Sequence, residues 1–338
     1  MATNTTEIVP TGAIRYNTDS NKMECFNGTK WMQVSVSSPD LNGGARGFRA
    51  GAQTGGASPW PMTDRIDYMN ITSAGNAIDF GNLTATRFGP AGASSRTRGL
   101  FIGGGTPTRL ANVDYFTMSS LGNAADFGDM TDGRASRASA HSNQTRAIWC
   151  AGADASVGYV NIIDYITIAS TGDGVDFGDL TFISSGTGAA GSSTRELMCG
   201  GGVPGGSSNV IQYITLSTTG NAQDFGDMVE AASGMAVSNS TRVVASSKST
   251  ASTSLDTVII STLGNSIEFG DLTTAQANGG AFANSSKLRG LFGLVPSGGD
   301  VNTIDYISMA TGGTAADFGD STQVIRNSGG TSNDHGGL

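Results

Sequence analysis

The stretch that decides the fold runs from Arg98 to Met130 and reads RGLFIGGG (98–105), NVDYFTMSS (112–120), LGN (121–123) and AADFGDM (124–130). Its first segment is an apolar run ended by glycines. The second nearly alternates apolar with polar residues, and the last sets one aromatic between an acid and a glycine. Alternation with a period of two marks a half-buried strand. The same order recurs along the chain: Asp/Glu-Phe-Gly stands at Asp79, Asp126, Asp176, Asp224, Glu268 and Asp317, at spacings of 47, 50, 48, 44 and 49. A phased arginine opens each apolar run, at Arg46, Arg98, Arg146, Arg195, Arg242 and Arg289, and IDYMNIT (66–72), IDYITIA (163–169) and IDYISMA (304–310) repeat the alternating segment.

The pairs between the alternating segment and the Phe, from Gly75-Asn76 to Gly312-Gly313, read as two-residue II′ hairpin turns. A Ser/Thr-rich turn precedes each phased arginine, so the unit is a four-stranded antiparallel meander of about 48 residues. One such meander cannot cover its own apolar faces. Copies stacked radially about an axis cover one another and leave only short edges. Six copies therefore predict an all-β chain, with a six-bladed β-propeller over residues 46–338. The first unit begins at its second strand, whereas STQVIRNSGGTSN, residues 321–333, falls in the phase of a first strand. The C-terminal strand is expected to complete the N-terminal blade and close the ring.

Composition agrees with a turn-rich β protein: 50 of 338 residues are glycine, and charged residues make up 14 % against a typical ~25 %. The 19 basic residues face 28 acids, for a net charge of -9, which repels phosphate backbones and anionic lipid. Nucleic acid is not an expected partner. The opening MATNTTEIVP has no basic n-region or apolar h-region, and no stretch approaches the ~18 to 20 apolar residues of a span. No signal peptide and no membrane insertion are expected.

Chemistry is sparse. Cys25, Cys150 and Cys199 are too few for a disulfide framework, and Cys150 and Cys199 read as small buried apolar residues. His141 and His335 lie far apart in the chain and read as ordinary surface or satisfied residues, so no metal site is expected. Asp-Phe-Gly stands without the other kinase elements, and its phenylalanines read as repeated core. The glycine runs lack the Gly-Lys-Ser/Thr of a phosphate cradle. The phased arginines are expected to pair with backbone or with an acid of a neighbouring blade. No catalytic residue and no cofactor are expected. The copies differ most in the loops GGASPWPMTD, GTPTRLAN and ADASVGYVN, where Trp60, Arg109 and Tyr159 are the side chains suited to stacking on or bonding a partner.

Ahead of the repeats, TGAIRYNTDSNKMECFNGTKWMQVSV (11–36) holds three short alternating runs with Asn27-Gly28 as a hairpin signal. Residues 1–36 read as a small three-stranded β-meander, too short for a core of its own, and SSPDLNGGA (37–45) as a linker. Exposed strand edges make homo-oligomerisation or docking through this module an expectation.

Two resemblances cover nearly the whole chain. The repeat resembles kelch, with glycines after an apolar strand, Asp-Tyr on the third strand and an aromatic on the fourth, although Phe80, Phe127, Phe177, Phe225, Phe269 and Phe318 stand where kelch usually has Trp. The N-terminal segment resembles a module recurring in tail-fibre and other virion structural proteins of tailed bacteriophages. The match runs through Gly12, Ile14, Arg15, Tyr16, Asn17, Thr18, Asn21, Lys22, Glu24, Phe26, Asn27, Gly28, Thr29 and Trp31. The repeats are similar to kelch-type propellers of marine phages, especially those infecting cyanobacteria. The resemblance implies a non-enzymatic virion structural protein: a fibre, tail appendage or capsid decoration. Arg15, Tyr16, Phe26 and Trp31 would dock it to other virion proteins, and the surface-exposed propeller would adhere to a host-surface glycan or protein. Rival classes are a carbohydrate-active or oxidase-type propeller enzyme and an intracellular kelch-like scaffold.

Overall fold

The computed structural model describes residues 9–18, 22–33, 45–55, 61–106, 108–135, 139–154, 158–231, 234–246, 252–276, 282–296, 299 and 301–338. Trp60 and residues 37–44 of the expected linker lie outside them. The chain divides into two compact units, Met1–Leu41 and Asn42–Leu338. The first contains a three-stranded antiparallel sheet of Ile14–Asn17, Lys22–Phe26 and Trp31–Gln33.

The second unit is all-β, with no helix among the described residues, and repeats a four-stranded antiparallel sheet in a β-propeller-like architecture. Numbered along the chain, the sheets have as second strands Arg46–Thr54, Arg98–Ile102, Arg146–Cys150, Arg195–Val203, Arg242–Ser246 and Arg289–Gly293. Each pairs with a third strand bearing the alternating segment, and that strand pairs with a fourth bearing the Phe-Gly. The first strands are short and mostly of small residues: Ala91–Ser94, Ser139–Ser142, Gly188–Gly191, Ala236–Ser238 and Phe282–Ser285 for the second to sixth sheets. In the first sheet that place is taken by Gly329–Ser332, which runs antiparallel to Arg46–Thr54 with Ser332 opposite Gly47.

Apolar side chains gather between sheets. Phe48, Phe80, Phe101 and Phe116 pack between the first and second. Trp149 packs with Leu100 and Phe127 between the second and third. A further cluster joins Phe282 and Leu291 of the sixth sheet to Met69 and Ile71 of the first. The repeated Phe is buried in all six copies, between 2 % and 7 % exposed.

The glycine after that Phe has a packing reason. At Gly81, Gly128, Gly178, Gly226 and Gly319 φ lies between 144° and 159°, a region open to glycine. A Cβ at these positions would overlap the backbone of Gly122, Gly172, Gly220, Gly264 and Gly75 on the neighbouring sheet. This corrects the hairpin reading of the Gly-Asn pairs. The third and fourth strands are joined by longer turns, Ile71–Ala77 in the first sheet. The turn glycine reaches sideways instead: Gly122 N–H donates to Phe80 O at 3.1 Å, and Asn123 Oδ1 accepts from Asn82 N–H at 3.1 Å. The pair is a clamp between sheets.

Candidate functional site

The repeated polar residues are used between sheets. Arg46, Arg98, Arg146, Arg195 and Arg289 each donate through Nη1 to a backbone oxygen of an adjoining sheet, at Met118, Ile168, Leu216, Ile260 and Ile71, over 2.7 to 3.2 Å. Their guanidinium groups lie 4.6 to 5.4 Å from the ring centroid of the tyrosine on their own third strand, within cation–π range. Arg242 sits over Phe269 instead, because Thr257 replaces the tyrosine.

The acid before that tyrosine stands in the sequence as part of the kelch-like Asp-Tyr but without a role, although its recurrence inside an apolar segment is a readable signal. Asp114 accepts from Thr84 N–H and Oγ1 at 2.8 Å, and Asp305 accepts from Thr273 N–H and Oγ1. Asp164 accepts from Thr131 and Asp67 from Thr322. Gln212 takes the slot in the fourth sheet, accepting from Thr181 N–H at 2.6 Å. Each bond ties a third strand to the segment entering its sheet. Three of the acids also carry a fully buried arginine: Arg49 on Asp67, Arg87 on Asp114 at 3.0 Å, and Arg134 on Asp164.

Glu196 breaks this economy. It is fully buried, neither carboxyl oxygen has a hydrogen-bond partner, and burial holds its pKa well above the ordinary range. Val243 fills the equivalent place in the next sheet. Because the unfolded chain ionises this group at ordinary pH while the fold keeps it protonated, stability falls as pH rises through that window. Glu196→Val should stabilise the protein by about 1 to 3 kcal/mol at pH 7, with the gain shrinking towards pH 4. Urea titrations at the two pH values measure it, and an unchanged midpoint at pH 7 would refute it.

Of the loop candidates, Arg109 is half-buried and donates through Nη1 to Ala153 O on the next sheet. Tyr159 lies opposite Ala153 in the ladder and is 37 % exposed. The structure therefore brings these two to one rim, with Arg109 engaged in joining sheets.

In the three-stranded sheet the register separates the docking candidates. Arg15 faces Glu24, and Phe26 faces Trp31. On that side Arg15 Nε donates to Glu24 Oε2 at 2.8 Å, and its guanidinium lies 4.2 Å from the Trp31 centroid. The Asn17 amide and then Arg15 hold the Glu24 carboxyl below its ordinary pKa. Tyr16 points to the other side, beside Met23, with Ile14, Cys25 and Met32. That side is apolar, and Ile14, Tyr16, Met23 and Met32 are 63, 58, 49 and 46 % exposed. Grouping by motif mixed two faces that the period of two keeps apart.

Strands from all six sheets converge on one recess of about 120 Å³, lined by Gly92, Ala140, Ala189, Ala236, Ala283 and Gly330. A chamber of about 40 Å³ lies further along the same strands, and His141 and His335 line it. The two histidines, far apart in the chain, are buried with ring centroids 5.2 Å apart, and both are hydrogen-bonded, so of the two readings, surface or satisfied, the structure removes the first. Cys150 and Cys199 are buried free thiols in different apolar clusters. Burial pushes Cys150 well up and Cys199 to about 12, which leaves neither thiol nucleophilic at neutral pH. No group of three or more His, Cys, Asp or Glu able to hold a metal occurs among the described residues. No family model matches the chain, and no curated protein matches it.

Proposed function

We propose that the chain is a non-enzymatic structural protein of a tailed-bacteriophage particle, attached through its N-terminal sheet and displaying a closed six-bladed propeller. The observation that carries this reading is how the repeated residues are employed. Arginine, aspartate, phenylalanine and glycine all join one sheet to the next, so the motif that fills the chain is architecture. Closure is supported by Gly329–Ser332 lying against both Ala91–Ser94 and Phe282–Ser285 and by the apolar cluster shared between sixth and first sheets. The phage assignment rests on the resemblance of residues 12–31 to virion modules.

The exposed apolar side of the N-terminal sheet is the surface assigned to attachment, in preference to the Arg15–Trp31 side, whose groups bind one another. Purified particles of the source phage should contain the chain, detectable by mass spectrometry. Tyr16→Ser with Met23→Ser should reduce incorporation at least about tenfold while leaving the melting of the second unit unchanged, the scale expected when two interface anchors are lost. Absence of the chain from particles would overturn the phage reading. Normal incorporation of the double variant would overturn the surface alone.

A further inference from the structure

We propose that residues 333–338 form an acid-released latch across the inner end of the central recess, held by the chain's two histidines. Beyond Ser332 the chain crosses the ends of several first strands. Asn333 exchanges bonds with the Arg46 backbone at 2.8 and 3.1 Å. Gly336 N–H donates to Ser238 O at 3.1 Å, and Arg96 Nη2 donates to Leu338 O at 2.7 Å. A Cβ at Gly336 would overlap the Gly191 and Asn239 carbonyls, and one at Gly337 the Ser142 carbonyl, so the tail fits its seat closely.

The tail's side-chain anchor is His335. Its Nδ1 accepts from Gly337 N–H at 3.1 Å. Its Nε2 lies 3.2 Å from Ser142 Oγ, whose own proton goes to Ser94 O. The serine must therefore accept, and His335 must be the neutral tautomer with its proton on Nε2. His141 Nε2 lies 3.1 Å from Ser192 O and donates to it. A proton added to His335 Nδ1 would point at the Gly337 N–H and abolish that bond. A second proton on His141 would set two buried cations side by side.

Burial outweighs the Ser192 and Ser94 backbone oxygens, which favour the charged imidazoles, and no side-chain anion among the described residues offsets the charge. The first strands carry no charge besides His141. Arg96 and Lys287 are cationic, and Asp334 is engaged with Lys287 at 3.6 Å and with its N–H. Glu196, on the strand paired with Gly188–Gly191, is kept protonated by burial. In agreement, burial lowers His141 to about 4, and burial together with His141 lowers His335 well below its ordinary value. The sign follows: the unfolded imidazole takes its proton near pH 6.5, the seated one far lower, so the seat's stability is whole above that pH and is lost as pH falls through the seated values.

The test digests the full chain with an acid-active carboxypeptidase at pH 7 and pH 4 and scales the rates to a free peptide of residues 329–338. Buried Trp149 reports by fluorescence that the sheets stay folded. Release of Leu338 and Gly337 should accelerate at least tenfold at pH 4, and His335→Gln, which cannot take the proton, should remove the acceleration. The same rise in His335→Gln, or no rise in the parent, would overturn the latch. Should that variant not fold, NMR titration of the two imidazoles in the parent decides: protonation coinciding with release supports the latch, and protonation near pH 6.5 without release overturns it.

Discussion

Deleting residues 329–338 should abolish the cooperative unfolding of the second unit, a loss exceeding about 5 kcal/mol and comparable with the whole stability of a typical domain. The segment is short, but nearly everything it touches is buried. Its ladder pairs Gly329 with Ala50, Gly330 with Arg49, Thr331 with Phe48 and Ser332 with Gly47. Ser94 Oγ donates to Ser332 O at 2.7 Å, Thr331 Oγ1 bonds Ser94 Oγ at 3.0 Å, and Ser332 Oγ donates to Ser285 O. Removal orphans backbone groups on Arg46–Thr54 and polar groups on the second and sixth sheets, each costing about 1 to 3 kcal/mol when left buried. It also uncovers Phe48 and Ala50, which are now fully buried. Deleting only 335–338 keeps the ladder and should leave a cooperative transition at lower temperature. Circular dichroism melts of the three proteins make the comparison. A 329–338 deletion melting within a few degrees of the parent would show that the strand is dispensable, and the closed-ring proposal would fall with it.

What could be read in the sequence followed from periodicity. The alternation around Asp114, the phased arginines and the repeated Phe-Gly define strands whose spacing is set by neighbours in the chain. Contacts between sheets were harder to read. Gly-Asn is a strong local hairpin signal, yet Gly122 answers to Phe80 on another sheet, and a local rule has no access to that. His141 and His335, nearly two hundred residues apart, meet because their strands converge on the same recess. In the N-terminal sheet the residues were visible and their sides were not: matching Arg15, Tyr16, Phe26 and Trp31 as one motif passed over the strand parity that turns Tyr16 away from the other three. Glu196 carried a signal of a different kind, an acid where the aligned copies hold Gly, Ala or Val.

The same substitution should have opposite consequences in two copies of the repeat. Asp114 and Asp305 occupy one slot and accept the same pair of threonine bonds. Only Asp114 has a fully buried arginine against it, and Arg87 in turn donates to Gly103 O at 3.2 Å. Asp114→Asn keeps an acceptor for Thr84 but leaves Arg87 buried without a counter-charge, and breaking a buried pair from one side costs about 3 to 5 kcal/mol. At Asp305 no arginine is bonded to the carboxylate among the described residues, and burial raises its pKa. Asn there retains the oxygen that Thr273 uses, as Gln212 does for Thr181 in the fourth sheet, and removes a group whose ionisation opposes folding. Asp305→Asn should therefore be neutral or stabilising by up to about 1 kcal/mol. The raised pKa means that the folded protein holds the extra proton, so the parent loses stability as pH rises and the advantage of Asn grows in the same direction. Pairing Arg87→Met with Asp114→Asn should recover most of the loss, because the stranded charge is then gone. Denaturant midpoints for the four proteins at pH 5 and pH 7 test this. Equal destabilisation by the two Asn variants would mean that the slot needs a carboxylate in every sheet, which the glutamine at position 212 already argues against.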